Sequence, residues 1–107
     1  MLSLQEMQQL QLALEEKYKG WWEPLVPESG KSKILWMIGE VCEVSDIIKK
    51  DGNDRIMNDK ETREHFLEEM ADVLAYFSEV MLCYDIAPDE LEESYRKKME
   101  YNMTRWK

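Results

Sequence analysis

Two pairs of acidic residues, each inside an apolar stretch, are the residues of this sequence best suited to chemistry. Glu40 and Glu43 form one pair, and Glu69 and Asp72 form the other. A spacing of three residues places both members of a pair on one face of a helix. Because carboxylates are costly to bury without a counter-charge, acids in such apolar surroundings predict a bound divalent cation.

Magnesium is the ion that this ligand set favours, with Mn²⁺ as a possible substitute. Mg²⁺ takes oxygen ligands in octahedral geometry and usually keeps waters and substrate phosphates among them. Two antiparallel helices that present their acidic pairs face to face would form such a site. The alternative is that these are ordinary surface acids among the 23 acidic residues of the chain, since Glu90 and Glu93 have the same spacing. A di-iron carboxylate site is excluded, because no Glu-x-x-His pair is present.

Other catalytic chemistries find little support in the sequence. Cys42 and Cys83 lie in apolar helical stretches, and with a single histidine, His65, they match no zinc motif. We expect both cysteines to be buried free thiols of a cytoplasmic protein. No nucleophile motif of serine hydrolases and no phosphate-binding P-loop sequence occurs.

The charge balance limits the partners that the protein can have. The formal net charge is −9, so the chain should repel the backbone of DNA or RNA. A single nucleotide is different, because a bound cation can bridge its phosphates to carboxylates. The first ten residues lack the charge and apolar pattern of a signal peptide, and no stretch reaches the ~20 apolar residues of a membrane span.

The elements that must position these acids are helices. A chain of 107 residues with four glycines and three prolines predicts a single all-α domain, residues 1–107. The periodicity of apolar residues predicts four helices, at 4–19, 32–50, 60–84 and 88–106. A proline-containing connection at 20–31 and a polar loop at 51–61 separate the first three, with Gly52 ending the second helix.

The second predicted helix is apolar on two sides. One side carries a stripe made of Ile34, Met37, Ile38, Val41, Ser45 and Ile48. On nearly the opposite side, Glu40 and Glu43 share a face with Trp36 and Ile47. We therefore expect this helix to be buried on both sides, with a second subunit covering one of them.

Two further groups of residues are suited to bind a ligand. Trp21 and Trp22, in the connection before the second helix, either close the end of the core or stack on a flat ligand. In the last helix, Lys98, Asn102 and Arg105 project in roughly one direction and form a basic end available to an anion.

Together these patterns resemble one enzyme family. The segments GEVCEV, EEMADVLAY and KMEYNMTRW are similar to the signature of the all-α nucleoside triphosphate pyrophosphohydrolases of the MazG type. That signature is E-x-x-E, a spacer, E-x-x-D, and a late helix with K-x-x-x-N-x-x-R. The resemblance extends from about Gly20 to Trp106.

The resemblance implies a four-helix bundle-like MazG fold that assembles as a homodimer or a dimer of dimers. It implies Mg²⁺-dependent hydrolysis of a nucleoside triphosphate, ribo- or deoxyribo-, to the monophosphate and pyrophosphate, as in nucleotide-pool housecleaning. The metal ligands would be Glu40, Glu43, Glu69 and Asp72, with Glu40 and Glu43 catalytic and Glu43 taking the proton from water. Phosphate would contact Lys98, Asn102 and Arg105, with Lys31 as a weaker candidate, and the base would meet Trp22 or Trp21.

Two other functions are compatible with the same residues. A non-catalytic helical interaction or regulatory module would keep the bundle without turnover, and a metal-buffering protein would bind the ion tightly without nucleotide. Relatives that prefer pyrimidines carry an aromatic residue shortly after the second glutamate, where this chain has Ile47-Ile48-Lys49-Lys50. The resemblance therefore does not predict the base.

Overall fold

Four α-helices account for most of residues 1–106, the part of the chain that this computed structural model describes. They are α1 (Leu4–Lys17), α2 (Gly30–Asn58), α3 (Lys60–Cys83) and α4 (Pro88–Arg105), and a short 3-10 helix spans Pro27–Ser29. No β-strand occurs in these residues, so the predicted all-α class is confirmed.

Local signals define the helix ends much as the sequence predicts. The Ser3 side chain accepts a hydrogen bond of 3.1 Å from the backbone N–H of Glu6 and caps α1. Pro88 is the first residue of α4, where its missing N–H costs no helical hydrogen bond. At the start of α2 the chain is packed closely, since a Cβ at Gly30 would overlap the ring of Tyr84.

The predicted polar loop at 51–61 is wrong, because helical structure resumes after Gly52 and continues to Asn58. Gly52 has φ +83° and ψ 163°, a conformation open almost only to glycine, and it breaks α2 into two helical segments. Ile56, in the second segment, is buried, and this tertiary contact holds the segment against the body of the protein. Only Asp59 separates the two helices, in an extended conformation that caps α3.

Helices α2 and α3 form a long antiparallel hairpin that contains most of the core. Its buried apolar residues are Ile47, Ile56, Met81 and Cys83. The expectation of a buried thiol is thus confirmed for Cys83. It is wrong for Cys42, which is exposed because it points away from α3.

The predicted burial of α2 on both sides is not met within one chain. Helix α3 covers the side that carries Glu40 and Ile47. The apolar stripe on the other side is open, with Ile38 and Val41 both about half exposed, at 49% and 48%. Large exposed apolar surfaces of this kind are typical of interaction sites.

The remaining helices pack on the hairpin to different extents. Helix α1 lies against α3, and buried Gln8 donates a hydrogen bond of 2.9 Å to the carbonyl of Ile86. Helix α4 has no buried residue and makes no extended packing contact with the other described helices. The radius of gyration is accordingly 16.4 Å, compared with about 13 Å for a compact chain of this length.

Within residues 1–106, no helix combines the length and the apolar character needed to cross a bilayer.

Candidate metal site and adjoining cleft

Three of the four predicted metal ligands meet where α2 faces α3. Glu40 comes from α2, and Glu69 and Asp72 come from α3, one helical turn apart. One carboxylate oxygen of each lies within 4.8 Å of the other two. This separation and the all-oxygen donor set fit a divalent cation such as Mg²⁺, which would bring the three oxygens into one coordination sphere.

The electrostatics of this acidic trio, Glu40, Glu69 and Asp72, also fit a cation. The pKa of Glu40 is raised, first by partial burial, then by a hydrogen bond with Glu69 and by the negative charges of Asp72 and Glu69. Like charges held so close repel one another when ionised. A bound cation would offset this repulsion and favour the charged form of Glu40.

Glu43, the fourth predicted ligand, lies outside the trio. Its side chain is exposed and borders a shallow depression that also touches Glu40 and Tyr76. Its charge still acts on Glu40, whose pKa it helps to raise. Glu43 is therefore close enough to affect the pKa of Glu40, but its carboxylate does not belong to the cluster of three oxygens.

A cleft of about 540 Å³ adjoins the trio and connects it to the predicted aromatic residues. Its lining includes Glu40 and Asp72 together with Trp21 and Trp22. Trp21 is 89% exposed, which excludes it from closing the core of this chain. Trp22 stacks on Tyr18 with 4.6 Å between ring centroids, so its ring is held in a fixed orientation.

Two more aromatic rings lie in the cleft beside the acids. Trp36 of α2 and Tyr76 of α3 meet edge to face, with 6.1 Å between their centroids. Burial raises the pKa of the Tyr76 hydroxyl, and the charges of Glu79, Glu40 and Asp72 raise it further. The hydroxyl therefore keeps its proton at neutral pH and can donate a hydrogen bond.

The cleft also contains a buried ion pair that the sequence interpretation missed. The ammonium group of Lys33 lies 3.3 Å from Oε1 of Glu79, and both residues line the cleft. A signal for them was present, since Lys33 precedes Glu40 by seven residues and Glu79 follows Asp72 by seven. Two helical turns place each of them on the face that carries the acids.

The predicted phosphate-binding residues do not reach this cleft within one chain. Lys98, Asn102 and Arg105 lie on α4, where Arg105 donates to Asn102 and its guanidinium lies 4.5 Å from the Trp106 ring centroid. None of the three lines the cleft. Lys31 is exposed at the start of α2 and does not line it either.

Comparison with known proteins identifies no relative of this chain. The chain matches no protein-family model, no curated protein and no solved structure at a significant level. The resemblance to the MazG-type enzymes therefore stays a prediction, based on the acidic pairs and the late basic helix.

Proposed function

We propose that this chain is an Mg²⁺-dependent nucleoside triphosphate pyrophosphohydrolase of the MazG type. It would act in the cytoplasm as a homodimer or a dimer of dimers, and would hydrolyse ribo- or deoxyribonucleoside triphosphates to the monophosphate and pyrophosphate as a housecleaning step. One observation carries the proposal: the cleft that touches Glu40 and Asp72 also contains Trp21 and Trp22. A cation site beside flat aromatic surfaces is what a nucleotide with its metal-bound phosphates requires.

Each acid has a role in this proposal. The trio of Glu40, Glu69 and Asp72 holds the ion, which when bound would withdraw charge from the phosphate oxygens. Glu43 borders the site without belonging to the trio, so its carboxylate stays free to accept the proton of the attacking water. The water oxygen bonds to the phosphorus that stays in the monophosphate, and the bond from that phosphorus to pyrophosphate breaks. The proton lost by the water passes to Glu43.

The phosphate contacts require a second copy of the chain. Lys98 and Arg105 are both exposed, and α4 makes no extended packing contact with the hairpin of its own chain. The apolar stripe of α2 offers a surface on which a second copy would bury its own apolar residues. In the proposed oligomer, α4 of one copy carries its positive charges to the trio of another, where they would stabilise the departing pyrophosphate.

A substrate panel tests the proposal. We expect the purified protein to release phosphate from at least one of the common ribo- or deoxyribonucleoside triphosphates, when Mg²⁺ and inorganic pyrophosphatase are present. Omission of the pyrophosphatase should remove the signal, because the direct product is pyrophosphate. Light scattering of the same sample should give two or four times the mass of one chain.

Substitution of one ligand tests the site itself. Glu69→Gln removes a charge from the trio while it keeps the side-chain volume, and we expect activity to fall by at least about 100-fold. Glu68→Gln is the matched control, because Glu68 is the exposed neighbour on the same helix and lies outside the trio. Full activity in Glu69→Gln would reject the site, and equal losses in both variants would indicate a general effect on the fold.

The open apolar stripe of α2 favours a second candidate, a helical interaction module without turnover. Exposed residues such as Ile34, Ile38 and Val41 would then bind a different protein. No turnover across the whole panel, from a protein that is folded and monomeric, would favour this module over the enzyme.

A further inference from the structure

The buried ion pair of Lys33 and Glu79 has binding capacity that the rest of the fold does not use. Their side chains are only 3% and 7% exposed, yet both residues line the cleft. Lys33 has three N–H donors, of which one contacts Oε1 of Glu79. Oε2 of Glu79 accepts no hydrogen bond from the described residues. This oxygen is also not among the polar side-chain atoms that are fully buried without a partner, so part of its surface is accessible. The pair therefore presents free donors and a free acceptor to the cleft.

Stability alone is a poor explanation for this pair. Removing two charges from water is costly, and apolar residues of similar volume in place of a buried ion pair are often neutral or stabilising. Here burial raises the pKa of Glu79, and the nearby Lys33 does not fully offset that effect. The carboxylate of Glu15 adds a further negative charge close by. Ionisable groups whose pKa is shifted by burial and by a specific charged partner cluster at functional sites.

The position of the pair relative to the acidic trio defines what it could bind. Lys33 and Glu79 are each seven residues from a trio member, so they lie roughly 10 Å from it along the two helices. Trp36 and Tyr76 occupy the level between, and the ammonium group of Lys33 lies 5.0 Å from the Trp36 ring centroid. The order along the cleft is thus cation site, aromatic rings, then hydrogen-bonding pair.

We propose that Lys33 and Glu79 bind the hydrogen-bonding edge of the substrate's base and determine which nucleotides the protein accepts. This inference rests on the proposed function. With the phosphates at the trio and the ring against Trp36, the base edge points to the pair. Lys33 donates to a carbonyl oxygen or ring nitrogen of the base, and Glu79 accepts from a neighbouring N–H. A base without these groups would leave the remaining N–H donors of Lys33 and Oε2 of Glu79 without partners in the filled cleft, which disfavours its binding.

A double variant separates recognition from folding. Lys33→Met with Glu79→Met replaces the pair by apolar side chains of similar length, which should keep the helical hairpin folded. The control is Lys60→Met with Glu64→Met, which removes an exposed ion pair on α3 that does not line the cleft. Circular dichroism and thermal melting of both variants would confirm that each is folded before kinetics are compared.

The measurement compares kcat/KM for two substrates. One is the nucleoside triphosphate that the protein turns over fastest, and the other is an analogue of it whose base lacks the exocyclic polar group. The quantity of interest is the ratio of the first kcat/KM to the second. In the unaltered protein and in the control variant we expect this ratio to be at least about 100, as for sites built to hydrogen-bond their substrate. In the double variant it should fall to about 10 or less. An unchanged ratio in a folded double variant would overturn the inference and leave the proposed function intact. Absence of turnover in the unaltered protein would overturn both.

Discussion

The inner and outer faces of the α2–α3 hairpin differ in a way that reverses the usual distribution of residues. On the inner face, the charged side chains of Lys33 and Glu79 are only 3% and 7% exposed. On the outer face, apolar Ile38 and Val41 are about half exposed. Buried charge is costly unless all of its hydrogen-bonding capacity is used, and exposed apolar surface of this extent is typical of interaction sites. This difference is the reason for proposing a ligand on the inner face and another protein surface on the outer face.

The largest expected effect tests whether a second copy completes the inner face. Glu69→Gln disables the trio of its own chain, and Arg105→Ala disables the basic end of its own α4. If α4 acts on the trio of a partner, mixed dimers of the two inactive variants should regain about half of the original activity, because one of their two sites combines an intact trio with an intact α4. Co-expression with two affinity tags and an activity assay of the doubly purified protein would measure this.

Each variant expressed with both tags serves as the control and should stay inactive. A mixed oligomer that is isolated intact but shows no recovered activity would contradict the exchange of α4 between copies. The phosphate contacts would then have to come from the same chain, or from residues other than Arg105.

The next effect concerns the affinity of the inner face for cations. A ligand that binds only the folded protein stabilises it, by about 2.7 kcal/mol when its concentration is one hundred times the dissociation constant. We therefore expect millimolar Mg²⁺ to raise the melting temperature by several degrees in a calorimetric scan. The rise should disappear in Glu69→Gln and persist in Glu68→Gln, and unchanged melting of the unaltered protein would count against the site.

A smaller effect is expected at the break in α2, which aligns the end of the hairpin. At φ +83° an alanine side chain is strained even though no atom lies within 4 Å of the added Cβ. Gly52→Ala should therefore lower the free energy of unfolding by about 1–3 kcal/mol, as measured by urea denaturation. Gly39→Ala is the control with opposite sign, because Gly39 is helical and equally uncrowded, and alanine there should stabilise by about 1 kcal/mol. Equal effects of the two substitutions would contradict the role of Gly52.

Much of the inner face could be predicted from sequence because it depends on local spacing. Glu69 and Asp72 share a helical face by their separation alone, and the apolar periodicity of α3 placed the helix within a residue of its observed ends. The meeting of Glu40 with them followed from the expectation of two antiparallel neighbouring helices. Lys33 was not predicted as a site residue because a lone lysine on a helix is usually solvated. Only its ion pair with Glu79 across the hairpin distinguishes it from such a lysine.

The errors arose where contacts between residues distant in sequence, or the lack of such contacts, decide the structure. Gly52 was interpreted as the end of a helix, but the burial of Ile56 stabilises a further helical segment beyond it. Cys42 was expected to be buried because its neighbours are apolar, although the side of α2 that it occupies has no cover within one chain. No local signal at Lys98 or Arg105 indicates that α4 packs little against the other helices and leaves both residues outside the cleft.

The smallest expected effect concerns Asp59, the single residue between the two helices of the hairpin. Its Oδ2 accepts hydrogen bonds from the Thr62 hydroxyl at 2.8 Å and from the Thr62 backbone N–H at 3.0 Å, and these lower its pKa below 3.8. A lowered pKa in the folded state means that the stabilisation is complete above the unfolded value and is lost as the pH falls through the folded value. Asp59→Ala should therefore melt at a lower temperature than the unaltered protein at pH 7, and the gap should narrow below about pH 3.8. Asp59→Asn keeps a capping oxygen that does not titrate, so its melting temperature at pH 7 should lie near that of the unaltered protein. A gap for Asp59→Ala that stays constant down to pH 2.5 would show that the ionised cap does not hold this turn.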